Sequence, residues 1–367
     1  MPKQTALYQR HADLGARIVD FAGWLLPVQY PTGPVAEHLA VREAAGLFDI
    51  DHMGQVIVTG PDALPYLQYI MTADVATIAP HAAHYSLMCY ADGGVVDDVF
   101  IYHLTDPERY FVAINASNVR KDVRWMQYHA VGYDVRVENV SDNTYMLALQ
   151  GPASEAILTA LCAADLSALA YHTSVETTVA GVPTLVGRTG YTGEDEFELF
   201  LAASEAGAVW DRLMESGGPH GLLPIGLAAR DSLRLEPCMP LYGQEISATR
   251  DPISAGLGWA VRPQKGDFVG RDALLKIRLE GPREKLVAFE MVDRGVPRHD
   301  YIVSIEGVEV GVVTSGIMSP TLNRFVGMAY LPADHSAKGD AFDVIIRGKP
   351  KKARVIKKPM VVPAYRR

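Results

Sequence analysis

The chain has 367 residues, with 34 Lys and Arg against 43 Asp and Glu, and its net charge of −9 excludes a basic protein built to coat nucleic acid. Hydrophobic residues make up 49% and charged residues 21%, the balance of a globular chain and not of a disordered tether. At roughly 100–200 residues per domain, that length requires two or three separate cores.

In chain order, apolar spacing predicts a helix over 35–45, stopped by Gly46, then a strand over 55–59 and a helix opened by Pro61. A three-strand meander follows over 85–90, 95–103 and 110–115. Its turns are Asp92-Gly93-Gly94 and Thr105-Asp106-Pro107, and a polar-faced helix over 118–130 closes the block. A second alternation runs from a strand at 144–149 through a helix to about 162, a strand near Thr184 and a strand over 196–201. It ends in a helix to Glu215 with Ser204 as the expected N-cap. Strands and helices mix without a repeating βαβ rhythm, so the class is α+β. After the Gly281-Pro282 linker, short alternating strands over 285–291, 302–306, 308–314, 327–331 and 341–346 predict a small antiparallel barrel.

Three constellations carry chemistry. Between Gly93 and Tyr102, strand alternation puts Asp98, Phe100 and Tyr102 on one face and Asp97, Val99 and Ile101 on the other. A carboxylate on an aromatic face is either a functional acid with a perturbed pKa or the solvent-side cap of a strand end. The run from Gly187 to Glu198 has three glycines at spacing three but leads into a strand and lacks a phosphate-loop lysine, so it is no phosphate loop. Its glycines suit a tight backbone presenting Tyr191 into a cleft, with Glu196 and Glu198 on one strand face. A buried glutamate there suits paired N–H donors of a flat ring, while a hairpin with solvated glutamates is the plainer alternative. In 226–236, Arg230 and Arg234 share a helical face. Each is either paired with a neighbouring carboxylate or free to clamp a ligand's.

The remaining signals are mostly negative. Cys89, Cys162 and Cys238 are far apart with no CxxC pair, so no disulfide framework is read from them and a reducing compartment is expected. The histidines lack metal spacing and no serine sits in a GxSxG elbow, so neither a metal site nor a hydrolase triad is expected. No secretory signal or membrane span of ~20 apolar residues is read. The basic run 349–358 is either the solvated face of the last strands or a docking patch for an acidic partner.

Asp20-Phe21-Ala22-Gly23-Trp24, Gly46-Leu47-Phe48-Asp49, Gly93-Gly94 through Asp97-Asp98, Leu149-Gln150-Gly151-Pro152, Arg188-Thr189-Gly190-Tyr191-Thr192-Gly193-Glu194, Ala229-Arg230-Asp231, Leu241-Tyr242-Gly243-Gln244 and Thr314-Ser315-Gly316 together resemble the aminomethyltransferase (T-protein) of the glycine cleavage system, from about residue 5 to the C-terminus. The resemblance implies a three-domain clover-leaf around a central tetrahydrofolate channel. Its first domain would take 1–50 with about 141–220, its second 51–140 with about 221–280, and its barrel 283–367. It implies transfer of a methylene from a lipoylated carrier, the H-protein, to tetrahydrofolate, with release of ammonia and without metal, membrane or nucleic acid. Asp98 matches the family's functional aspartate, and Glu198 the glutamate that holds the pterin. Met53, Tyr85, Tyr102, Asn115 and Tyr191 match pocket residues, Arg230 an arginine near the folate tail, and Arg367 an arginine that closes the site. Asp51 stands where the family usually has serine, Glu196 where it has glycine, and Pro237-Cys238 where it has a small Ala-Gly pair. The expected home is a bacterial cytoplasm, or a mitochondrion if the chain is a processed form. Two other functions belong to the same scaffold: a folate-dependent demethylase of a small methylated sulfur or nitrogen compound, and a non-catalytic folate-binding regulator.

Overall fold

The computed structural model describes residues 2–366 and mixes helices with four sheets, the α+β class expected. Strands Gly54–Thr59, Ala83–Cys89, Val95–His103, Arg109–Ile114 and Arg136–Asn139 form a five-stranded antiparallel sheet. In Val95–His103, the β-branched residues favour extended backbone. The Asp92-Gly93-Gly94 turn starts this strand, with Asp92 Oδ1 accepting the Gly94 N–H at 3.1 Å. Gly94 is obligatory for steric reasons, since a Cβ there would lie 1.9 Å from the Ala248 carbonyl oxygen. Val56, Ile101 and Val112 bury one face of the sheet against Tyr66 and Leu67 of helix Ala63–Ile70 and Met126 of helix Val119–His129. Each such side chain contributes about 1.5–3 kcal/mol when fully buried.

A six-stranded sheet gathers Ala45–Asp49, Thr144–Gln150, Ser174–Val179, Val182–Gly187, Glu196–Ala202 and Leu222–Pro224. Leu47, Leu147, Leu199 and Trp210 form its core with helix Ala206–Gly217. Leu222–Pro224 joins it in parallel with Ala45–Asp49, just beyond the expected boundary near 220. Between this sheet and the five-stranded one lies a shared layer of Phe48, Tyr102, Phe111, Met146, Phe200 and Leu233. The barrel closes from Glu284–Met291, Ile302–Ile305, Val308–Ser319, Arg324–Pro332, Ala341–Ile346 and Lys349–Ile356, all paired antiparallel, around Phe289, Val313, Leu331 and Phe342.

Buried charge joins the barrel to the rest. Glu236 accepts from Ser319 at 2.5 Å, Thr321 at 2.8 Å and Arg42 at 2.8 Å. Arg234, 1% exposed, binds Glu245 at 2.9 Å and Ser315 at 2.6 Å.

Two expectations change. A three-stranded sheet of Lys3–Gln4, Arg17–Phe21 and Trp24–Gln29 forms where no strands were expected. Ser204 is not an N-cap: a 3-10 turn over Ala203–Glu205 leads into helix Ala206–Gly217, so its backbone makes the entry and no side chain caps it. Of the basic run on the last barrel strand, Lys352 pairs with Asp343 and Arg354 with Glu290, while Lys358 Nζ donates to the Leu286 carbonyl at 2.7 Å.

Candidate active site

Met53, Tyr85, Asp98, Asn115, Tyr191, Glu198 and Arg230, seven residues singled out from the sequence, line one cavity of about 210 Å³ where the two large sheets meet the 236–260 segment. An adjoining cavity of about 330 Å³ shares Met53, Asn115, Arg230 and Leu241 with it and opens past His52, Tyr242 and His299.

Asp98 occupies its wall as alternation requires. Tyr85 OH donates to Oδ2 at 3.0 Å and Asn115 Nδ2 to Oδ1 at 2.8 Å. Burial, with Asp97 adjacent, pushes its pKa up to about 7. Asp97 points the opposite way, fully buried, and accepts the Asn115 N–H and Nδ2 at 2.9 Å and Asn118 Nδ2 at 2.8 Å. A third carboxyl, Asp122, lies fully buried on helix Val119–His129, and burial together with Asp97 pushes it up to about 10. It was not foreseen, because helical spacing says nothing about which strand the helix covers.

Glu198 presents one oxygen to the protein and one to the cavity. Oε2 accepts Tyr102 OH at 2.8 Å and Thr189 Oγ1 at 2.6 Å, while Oε1 has no hydrogen bond among the described residues. Burial raises the pKa of this carboxyl, against the opposing pull of Thr189, Tyr102 and Arg230. Tyr102 itself is fully buried and lines neither cavity. Its expected place in the wall is therefore corrected: it stands behind Glu198 and fixes it. The strand carrying Tyr102 crosses so close to the next sheet that a Cβ on Gly187 would lie 2.8 Å from the Tyr102 ring.

Tyr191 donates to the Pro240 carbonyl, and the Arg230 guanidinium carbon sits 4.7 Å from its ring centroid. Arg230 has no ion pair among the described residues, and burial pulls its pKa down. Arg234, one turn on in helix Leu227–Leu235, pairs with Glu245, while Arg230 lines the cavity. Arg367 lies outside the described residues.

Sequence reading missed Tyr171, His172, Met239, Trp259 and Tyr365 in the wall. Trp259 is 57% exposed and stacks on Tyr85 with centroids 5.4 Å apart. Tyr171, His172 and Met239 sit in turns or irregular chain, and Trp259 and Tyr365 in single 3-10 turns, all too short for a periodicity to mark a face. Asp51 lines neither cavity; burial and Asp49 push it up to about 8, so at neutral pH it brings mostly a neutral acid. No group of three His, Cys, Asp or Glu able to hold a metal occurs among the described residues, and no helix there is long and apolar enough to cross a membrane.

The family model of the GCVT N-terminal domain matches residues 7–265, and that of the glycine cleavage T-protein C-terminal barrel domain matches 284–361. The chain belongs to the glycine cleavage T-protein family. Within that family, an aminomethyltransferase of Symbiobacterium thermophilum is 49% identical over 372 residues, covering 100% of this chain and 99% of its own. One of Bacillus subtilis is 46% identical over 361 residues, covering 98% and 99%. The crystal structure of glycine cleavage system aminomethyltransferase T from Bartonella henselae matches with a TM-score of 0.94 at 33% identity, each chain covered in full.

Proposed function

We propose that this T-protein family member is the aminomethyltransferase of glycine cleavage, moving the one-carbon unit of an aminomethyl-dihydrolipoyl carrier to tetrahydrofolate. The observation that carries the reading is the cavity wall. Asp98 lines it together with Glu198, whose Oε1 has no hydrogen bond among the described residues, Arg230, which has no ion pair among them, and several aromatic rings. Tetrahydrofolate supplies the nucleophilic nitrogens when bound. The carrier's carbon–sulfur and carbon–nitrogen bonds break, two bonds from the carbon to folate nitrogens form, and the two displaced N–H protons leave with the thiol and with ammonia.

In this reading Glu198 Oε1 accepts the paired N–H groups of the pterin, held in register by Tyr102 and Thr189 behind it. Arg230 receives the carboxylate tail. Tyr85, Tyr191 and Trp259 exclude water and orient flat rings. Ionised Asp98 stabilises the positive charge that grows on the transferred carbon, and its near-neutral pKa lets it carry a proton to the departing amine.

The carrier is an acidic lipoylated H-protein, and the home a bacterial cytoplasm. The same reading divides the chain into 1–50 with 141 to about 225, 51–140 with about 226–280, and 283–367, each with its own buried core. The test is methylene transfer from lipoylated carrier, run beside simple methylated sulfur and nitrogen donors. Turnover with the carrier alone supports this function. Turnover with a methyl donor alone makes the protein a demethylase, and folate binding without either reaction makes it a regulator.

A further inference from the structure

Glu196 is fully buried at the start of strand Glu196–Ala202, yet it takes no part in the chemistry above. Its two oxygens serve different segments. Oε1 accepts the Gly193 N–H at 2.7 Å, Thr192 Oγ1 at 2.5 Å and the Thr192 N–H. Oε2 accepts Tyr171 OH at 2.8 Å, across the cavity wall. The turn that presents Tyr191 rests directly on this side chain, since a Cβ on Gly190 would come within 2.5 Å of Glu196 Cβ.

Both groups held by Glu196 also hold the C-terminal segment. Gly193, whose N–H goes to Glu196, gives its carbonyl to the Ala364 N–H at 2.6 Å. Tyr171, whose OH goes to Glu196, stacks on Tyr365 with centroids 4.4 Å apart and planes 26° from parallel. Tyr171, Tyr191 and Tyr365 all line the cavity. One carboxylate therefore anchors both points on which the last residues lie across the proposed acceptor site.

We propose that Glu196 is a positioning residue that fastens the C-terminal strap and the Tyr191 turn into one cavity wall. Its contribution to folate binding rests on the function proposed above; its contribution to the strap does not. Removing it leaves the Thr192 and Gly193 donors and the Tyr171 hydroxyl without their common acceptor, so the turn and the ring shift independently. Burial pushes its pKa up to about 7 against the donors from Thr192, Tyr171 and Gly193. The ionised form, which can accept from all four donors, is thus the one favoured above neutrality.

The experiment uses the full chain with Glu196→Ala, Glu196→Gln, Tyr171→Phe, Tyr365→Ala and the Glu196→Ala/Tyr365→Ala pair. Hydrogen exchange of the 364–366 amides is measured on the protein alone, and the KM for tetrahydrofolate and kcat on the complete reaction. Glu196→Ala is expected to speed exchange in 364–366 about tenfold or more and to raise the folate KM by a similar factor, with kcat changed less than about twofold. Tyr171→Phe should reproduce part of both effects, because it removes only the hydroxyl. Glu196→Gln should recover most of the loss, because its amide oxygen still accepts from Thr192 and Gly193. Adding Tyr365→Ala to Glu196→Ala should raise KM by less than the product of the single effects, since both act through one contact. Unchanged exchange in Glu196→Ala and Tyr171→Phe overturns the proposal, as does a fully multiplicative double variant. If the wild type transfers no methylene from the carrier, the function reading fails while the exchange result still decides the role of Glu196.

Discussion

At the scale of single residues, the two adjacent aspartates differ because one strand turns them to opposite sides. Asp98→Asn is expected to lower turnover at least about tenfold with little change in folate affinity, since it removes the charge that, in the proposed reaction, faces the transferred carbon. Asp97→Asn should do less to turnover and more to stability, lowering it by about 1–3 kcal/mol, because three buried N–H contacts converge on that carboxylate. Thermal melts and kcat for the two variants separate these outcomes. The sign of the pH effect follows from the raised pKa of Asp98: its working form is the anion, so turnover falls as pH drops through about 7, and Asp98→Asn loses that acid limb. Glu198→Ala should weaken tetrahydrofolate binding by about 1.5 kcal/mol or more, read by titration, because the ring's donors then meet no acceptor. Arg230→Ala should cost intact folate more than a pterin fragment lacking the tail; equal losses would remove Arg230 from the tail site.

At the scale of elements, Glu198 depends on how closely two strands from different sheets approach. Tyr102 reaches it from Val95–His103, and Gly187 in Val182–Gly187 leaves the space for the Tyr102 ring. Gly187→Ala is therefore expected to cost about 1–3 kcal/mol of stability through overpacking and to raise the folate KM as Tyr102 and Glu198 move together. Denaturant unfolding with folate kinetics on the same protein checks it; a loss of stability with unchanged KM would show that Glu198 keeps its place without Tyr102. Strand alternation made the face of Asp98 legible, since period two fixes which residues share a side. The same logic put Tyr102 on that face but not its depth. How far a residue lies from the open end of the cavity depends on the neighbouring sheet.

At the scale of the whole molecule, Glu236 ties the barrel to the two sheet layers through His38, Arg42, Ser319 and Thr321. Burial alone would raise its pKa, but His38, Arg42 and Ser319 outweigh burial and hold it down to about 2. A carboxyl depressed in the folded state gives stability that is complete above its unfolded pKa near 4.5 and is lost as pH falls towards about 2. Glu236→Gln should therefore melt lower than the wild type at pH 6, with the gap narrowing as pH falls below about 4.5. Calorimetry across that window tests it, and a constant gap would place the acid sensitivity elsewhere.

By itself the sequence determined the α+β class, most strands and helices, and the C-terminal barrel, because each follows from local periodicity and turn residues. It also determined Asp98 against Asp97, through period two, and its motifs carried the family. The tertiary structure alone decided which arginine of helix Leu227–Leu235 meets the cavity, because both fit one helical face and only packing gave Arg234 its partners Glu245 and Ser315. It likewise decided that Tyr102 stands behind Glu198, that Trp259 and Tyr365 complete the wall, and that Glu196 joins two segments 25 residues apart in Tyr171 and Glu196. Those are contacts between distant parts of the chain, set by the close packing of sheets against one another, and local spacing contains no record of them.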